Sequence, residues 1–180
     1  DPDRHSVRRQ FVDVLLKLRR GADALQSLEI LQAASPQDAE LLFMSGRCQE
    51  DLGQFTKAAS VYLTSVEQDT HRIESYSRLA HLLRARFVLP FDAAEKGKGA
   101  DGKVAVTDAS LAGTEDSLRT RLVNLPNDAT ARDQADVVME AMVDWNQESP
   151  EALVVRGRYR RDRGQLTDGS ADVAHALDLA

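Results

Sequence analysis

The sequence has few cysteine, proline or aromatic residues. Cys48 is the single cysteine in 180 residues, which excludes an internal disulfide framework and any zinc site built from several cysteines. Aromatic residues make up 5% and there are five prolines, whereas alanine and leucine together supply about a quarter of the chain. This balance favours helices and disfavours an all-β sandwich.

Long hydrophobic runs are also missing. The apolar stretch 11–18 is broken by Asp13 and Lys17 and is too short to span a bilayer. No segment has the order of charged, apolar and cleavage-site regions that marks a signal peptide. We therefore expect no membrane insertion and a soluble protein, with the cytoplasm slightly favoured. Because the chain opens on Asp1 without methionine, we expect it to be a fragment of a longer protein.

Lysine is scarce, and most of the positive charge is carried by arginine. The formal net charge is −6, and 18 of the 23 basic residues are arginine. This net charge disfavours a generic nucleic-acid binder. Arginine can still form local clusters that bind carboxylates through two parallel hydrogen bonds.

An internal repeat organises the chain. Residues 45–54 and 156–165 are identical at five of ten positions, at an offset of 111 residues. Ala24 and Ala58 are 34 residues apart, and Ala58 and Ala135 are 77 apart. These offsets have one common solution: four units of 34 residues, of which the third carries an insertion of about 43 residues.

Each unit has the pattern of two helices joined by a short turn, which makes about eight helices. In the second unit Asp38 is a candidate N-cap, Gly53 a turn, and small Gly46 and Ala58 allow close approach of the two helices. The single domain 1–180 divides into units at about 5–38, 39–72, 73–149 with an insertion at 87–129, and 150–180.

This pattern resembles the tetratricopeptide repeat (TPR) family. The residues that carry the resemblance include Leu42, Gly46, Ala58, Tyr62, Ser65, Tyr76, Ala80, Leu153 and Gly157. Val12 and Gly169 depart from it: a small residue is usual at the first position and alanine at the second. The resemblance implies an all-α fold, a right-handed α-solenoid of antiparallel helix pairs.

The resemblance also implies a function, which is a protein–protein interaction scaffold that binds a peptide or protein segment in a concave groove. The first helix of each unit lines this groove in the family. The matching positions that we expect to bind a partner are Arg9, Asp13, Phe43, Met44, Arg47, Arg78, His81, Arg84, Arg158 and Arg161.

The expected ligand is an acidic, partly hydrophobic segment, because arginines dominate these positions and Phe43 and Met44 add an apolar floor. The alternative is that the arginines pair with glutamates of neighbouring units, such as Glu40, Glu50 and Glu74. Asp13 and Met44 occupy the slots where chaperone-binding members of the family have asparagine, so binding of a chaperone tail is not implied.

Two other functions remain open. The chain could be a structural spacer or oligomerisation segment from a longer repeat array, since no polar capping helix follows the last unit. Weak self-association through the C-terminal end, with Val173 and Leu177 exposed, is then expected. The chain could also be an accessory domain of a larger enzyme.

Nothing in the sequence supports catalysis by this chain, a cofactor or a metal. There is no nucleophile elbow, and the four histidines form no pair at metal-ligand spacing on one helix face. Cys48 adjoins a core position, which favours a buried and unreactive thiol.

The insertion holds two further patterns. Residues 97–104 have the spacing of a phosphate-binding loop up to Lys103, but Val104 replaces the serine or threonine that would ligate magnesium, so we expect no nucleotide binding. Leucines at 118, 122 and 125 predict a short amphipathic helix within 114–125. We expect the insertion to be a disordered surface segment, and the alternative is an element that contacts a ligand or acts as a lid.

Overall fold

A computed structural model describes residues 2–85, 117–126 and 129–180. The described residues form nine α-helices: α1 (Pro2–Lys17), α2 (Gly21–Ala34), α3 (Ala39–Asp51), α4 (Phe55–Gln68), α5 (Ile73–Arg84), α6 (Leu118–Val123), α7 (Ala131–Trp145), α8 (Pro150–Asp162) and α9 (Leu166–Asp178). Within these residues there is no strand, and the predicted all-α solenoid of helix pairs is confirmed.

The helices pack as hairpins that follow one another along the solenoid. α1 packs on α2, α3 on α4, α5 on α7, and α8 on α9, and each hairpin contacts its neighbours in the series. Contacts between successive hairpins run chiefly from a second helix to the next first helix, as in α2 with α3 and α4 with α5. The limits of the units read from the sequence remain a prediction.

Local sequence signals set the helix ends. The Asp38 carboxylate accepts hydrogen bonds from the amides of Glu40 and Leu41 at 3.0 and 3.1 Å, as a helix N-cap does. Gly53 and Gly164 end the first helices of two hairpins with φ of +71° and +82°, a conformation that L side chains disfavour. Arg19, 34 residues before Gly53, adopts the same left-handed conformation at φ 59°.

The close approach of the two helices in the second hairpin depends on a small side chain facing a large one. A Cβ atom on Gly46 would lie 2.4 Å from the ring of Tyr62 on α4. In the first hairpin the equivalent residues are Val12 and Leu28, both fully buried. A smaller partner on α2 therefore makes room for Val12, which explains this departure from the family pattern.

The other departure, Gly169, has a similar explanation. A Cβ atom on Gly169 would lie 2.7 Å from the backbone oxygen of Gly157 and 2.7 Å from Cγ of Arg161. The backbones of α8 and α9 are thus too close for alanine to fit without movement.

A buried ionic cluster ties the last three helices together. The Asp172 carboxylate on α9 accepts hydrogen bonds from Arg156 at 2.7 and 3.1 Å and from Arg160 at 3.0 Å. The same two arginines reach Glu140 on α7 at 2.7 Å. Charge-assisted pairs of this kind fix the relative positions of α7, α8 and α9.

The described end of the insertion forms the predicted short helix. Leu118 and Leu122 of α6 are buried, and the helix lies against α4 and α7, which are both second helices. Arg119 reaches Glu67 of α4 at 3.0 Å, and Arg121 reaches Asp144 of α7 at 2.5 Å. α6 therefore packs on the layer of second helices. Residues 86–116, which include the loop-like motif at 97–104, lie outside the described residues.

Candidate functional site

A shallow groove crosses the first helices of three hairpins. It encloses about 350 Å³ between α3, α5 and α8. Its lining residues are Phe43, Arg47, Ile73, Glu74, Ser77, Arg78, Glu151 and Val155. Three helices that are distant in sequence thus contribute side chains to one surface, which we call the inner groove.

Phe43, Ile73 and Val155 provide the apolar part of the inner groove. The Phe43 ring lies 5.8 Å from the ring of Tyr62, and the Arg72 guanidinium carbon lies 5.9 Å from the Phe43 ring centroid. Phe43 is therefore held from behind by α4 and from the side by the loop before α5. A half-buried aromatic ring fixed in this way gives a ligand side chain an apolar contact at little entropic cost.

Two arginines supply the positive charge of the inner groove. Arg47 is half-buried and has no ion pair among the described residues. Arg78 is exposed and lies 3.4 Å from Glu50, whose other carboxylate oxygen accepts a 2.7 Å hydrogen bond from the Tyr62 hydroxyl. At 3.4 Å this contact is longer than a usual charge-assisted hydrogen bond, so the exposed Arg78 can exchange Glu50 for a ligand carboxylate.

Two glutamates line the inner groove beside the arginines, and neither was among the expected binding residues, although Glu74 was expected as a possible ion-pair partner. Glu74 and Glu151 are the second residues of α5 and α8. Acidic residues are favoured in the first turn of a helix, and Glu40 has the same place in α3. This recurrence at the repeat spacing is a signal that could have located them. Ile73 was also not among the expected residues. Those residues were chosen next to the small residue in the middle of each first helix, whereas Ile73 lies in the first turn of α5.

The expected binding residues of the first unit do not line the inner groove. Arg9 bridges Asp38 and Glu40 at 2.5 Å each, and Asp13 pairs with Lys17 at 2.6 Å. Burial by itself raises the pKa of Asp38, but the amides it caps and the Arg9 guanidinium outweigh this effect and hold that pKa below its ordinary value. Arg9 therefore joins α1 to the start of α3.

Met44 and the other expected residues of α5 and α8 lie outside the inner groove, in several different environments. Met44 packs against the core of the first hairpin. His81 and Arg158 are exposed. Arg84 lines a different cleft, and the stem of Arg161 lies over Gly169 of α9. Of the ten expected residues, the inner groove contains Phe43, Arg47 and Arg78.

The described residues show no reactive thiol, metal-binding group or membrane-spanning helix. Cys48 is fully buried, and burial raises the pKa of its thiol to about 11, so the reactive thiolate is scarce at neutral pH. The described part of the chain holds no group of three or more His, Cys, Asp or Glu side chains that could bind a metal ion. None of the described helices is long and apolar enough to cross a membrane.

Hairpins of antiparallel helices stacked in sequence, with a groove across their first helices, define a helical-repeat solenoid. Residues 9–72 match the tetratricopeptide repeat family model. The resemblance seen in the sequence is thereby confirmed. Tetratricopeptide folds are generally protein–protein interaction modules.

A solved structure supports a similar fold over almost the whole chain. A crystal structure of MamA, 12% identical, aligns with 99% of this chain and 80% of its own, with a TM-score of 0.55. Looser matches are MamA from Desulfovibrio magneticus RS-1 (17% identity, 98% and 95% coverage, TM-score 0.44) and TTC0263, a thermophilic TPR protein of Thermus thermophilus (19% identity, 98% and 91% coverage, TM-score 0.42). No curated protein matches the chain.

Proposed function

We propose that this chain is an interaction scaffold that binds an extended segment of a partner protein across α3, α5 and α8. The observation that supports this function is the inner groove itself, where an apolar floor adjoins Arg47 and the weakly held Arg78. Side chains from three helices can contact one ligand there. A rigid surface of this kind is suited to an extended peptide.

The groove favours an acidic, partly hydrophobic segment whose acidic side chains lie on one side. An apolar ligand side chain fits over Phe43 and Val155, and a neighbouring carboxylate reaches the guanidinium groups of Arg47 and Arg78. Glu74 lies one helical turn before Arg78 and repels a carboxylate on that side. The acidic ligand side chains therefore point toward the C-terminal halves of α3 and α5.

A peptide array tests this function. Peptides that combine acidic and apolar residues are expected to bind the parent chain, and peptides with the acids replaced by amides are expected to bind weakly. The double variant Arg47→Glu and Arg78→Glu should lower affinity for the bound peptides at least tenfold, because each lost charge-assisted hydrogen bond contributes about 1.5–3 kcal/mol.

A matched control separates the groove from net charge. Arg20→Glu combined with Lys57→Glu makes the same charge change at exposed positions outside the inner groove. This control should bind like the parent chain. If the groove variant retains every acidic peptide, or if both double variants lose binding equally, partner binding in the inner groove is wrong.

A second candidate function is stacking of copies of this chain end to end. Val7, Phe11 and Val14 of α1, with Leu18 directly after it, form an apolar stripe, of which Val7 is 65% exposed. On α9, Leu166 and Leu177 are 64% and 74% exposed, while Val173 is half-buried against Gly157. An α9-to-α1 contact repeats the arrangement of α2 on α3, so it would continue the solenoid from one copy to the next.

Light scattering across a concentration series tests the stacking. The parent chain is expected to gain mass as concentration rises, and Phe11→Glu or Leu177→Glu should suppress the gain because a charge would be buried in the contact. Ile30→Glu places the same charge on exposed α2 surface and should leave the association unchanged. A parent chain that stays monomeric up to about millimolar concentration contradicts this function.

A further inference from the structure

A second cleft opens where the end of α5, the start of α7 and the end of α8 meet. It encloses about 290 Å³ and is lined by Arg84, Arg132, Tyr159, Asp162 and Arg163. It has no lining residue in common with the inner groove. Three guanidinium groups and one carboxylate thus face the same small volume, which we call the arginine cleft.

Tyr159 orients two of the three arginines. The guanidinium carbons of Arg84 and Arg163 lie 5.4 and 5.9 Å from the centroid of its ring, within the range of cation–π attraction. The Tyr159 hydroxyl donates a 2.5 Å hydrogen bond to Asp136, which holds the ring in place. The two planar guanidinium groups are therefore positioned before any ligand binds.

The carboxylates near the arginine cleft neutralise it only in part. Asp136 is engaged by the Tyr159 hydroxyl and pairs with Arg163. Asp133 accepts hydrogen bonds from the amide and hydroxyl of Thr130 in the cap of α7. Asp162 lies 3.4 Å from Arg84 and is 66% exposed, which makes this a weak surface pair that a ligand can replace.

Among the described residues, Arg132 makes no polar contact that would stabilise the fold. It is exposed, and within the described residues it has no ion pair. Arg84 and Arg163 lie at helix C-termini, where positive charge offsets the helix dipole, but Arg132 is the second residue of α7, where the dipole disfavours a cation. An unpaired guanidinium at an unfavourable position that faces two others points to an anionic ligand.

We propose that the arginine cleft binds a doubly charged oxyanion of the phosphate type, through the guanidinium groups of Arg84, Arg132 and Arg163. A phosphate group presents several acceptor oxygens in a tetrahedral arrangement, so it can accept hydrogen bonds from more than one guanidinium at once. A single carboxylate offers only two oxygens and one charge. The phosphate can be free or can be carried by a phosphorylated side chain, and the binding chemistry is the same.

Titration of the full chain, followed by phosphorus NMR in a phosphate-free buffer of low ionic strength, tests the site. Saturable binding is expected for inorganic phosphate, for a short phosphoserine peptide, or for both. Arg132→Gln should weaken binding roughly tenfold, as the loss of a charge-assisted hydrogen bond predicts, and addition of Arg84→Gln should weaken it further. Because Arg132 is exposed and unpaired within the described chain, its replacement should leave the circular dichroism spectrum and the unfolding midpoint unchanged.

A control variant and two ligands distinguish the possible outcomes of this titration. Arg20→Gln removes the same charge from the α1–α2 turn and should bind phosphate like the parent chain. Binding of the phosphoserine peptide as well as inorganic phosphate identifies a site for phosphorylated protein segments, and binding of inorganic phosphate alone identifies a site for the free ion. Absence of saturable binding to the parent chain overturns the proposal, as does equal affinity in Arg132→Gln or an equal loss in Arg20→Gln.

Discussion

Replacement of Tyr62 by alanine is expected to lower the free energy of unfolding by about 3–5 kcal/mol. The Tyr62 side chain is fully buried, and its ring occupies the space that Gly46 leaves open between α3 and α4. The ring also supports Phe43 at 5.8 Å, and its hydroxyl donates to Glu50 at 2.7 Å. Alanine at this position leaves a cavity that rigid helices close only in part.

Urea denaturation followed by far-ultraviolet circular dichroism measures this effect. Tyr62→Phe is the matched control: it keeps the ring and removes one hydrogen bond, so it should cost about 1 kcal/mol. An alanine variant that is no less stable than the phenylalanine variant would show that the ring does not carry the packing of this hairpin. The stability of a solenoid depends on contacts between neighbouring elements, so the effect should reach the third hairpin as well.

Replacement of Asp172 by alanine is the second large effect, with an expected loss of about 3 kcal/mol. The Asp172 side chain is 6% exposed, and it is the acceptor for both Arg156 and Arg160. Burial alone lowers the pKa of Arg156, but its hydrogen bonds and charge contacts with Asp172 and Glu140 outweigh burial and raise that pKa. Without Asp172, a nearly buried guanidinium keeps Glu140 as its sole partner within the described residues.

Thermal and urea unfolding of Asp172→Ala should be compared with those of Asp168→Ala. Asp168 is exposed in the first turn of the same helix, where its removal forfeits at most a helix-dipole contribution below about 1 kcal/mol. Asp172→Asn keeps the volume of the side chain and removes its charge, so its stability should lie between those of the parent and the alanine variant. Equal stability of the Asp168 and Asp172 alanine variants would falsify the structural role of the buried cluster.

The fold was predictable from the sequence because its causes are local. The spacing of Ala24, Ala58 and Ala135 shows the repeat, and periodic apolar residues with capping side chains such as Asp38 predict the helices. The amphipathic spacing of Leu118 and Leu122 likewise predicted α6. The capping and amphipathic signals depend on residues within a few helical turns of one another, and the repeat requires only a fixed spacing along the chain.

The ion-pair partners of the predicted binding residues could not be read from the sequence, because the position of an arginine in its helix says little about which carboxylate it contacts. Arg9 and Arg47 both lie on first helices, but Arg9 pairs with Asp38 and Glu40 at the start of the next hairpin, and Arg47 forms no ion pair among the described residues. Side chains long enough to reach a neighbouring hairpin pair according to the packing of the helices. The spacing of residues within one helix does not predict how neighbouring hairpins pack.

The sequence alone determined the helical class, the repeat period and the small residues such as Gly46 that allow close approach of two helices, since these follow from periodicity and side-chain volume. The tertiary structure decided which charges remain available. It assigned Arg9 to a structural ion pair, placed Glu74 and Glu151 beside Arg47 and Arg78, and brought Arg84, Arg132 and Arg163 to one cleft. Those assignments depend on distances between helices that are far apart in the chain, and only the stacking of the hairpins fixes those distances.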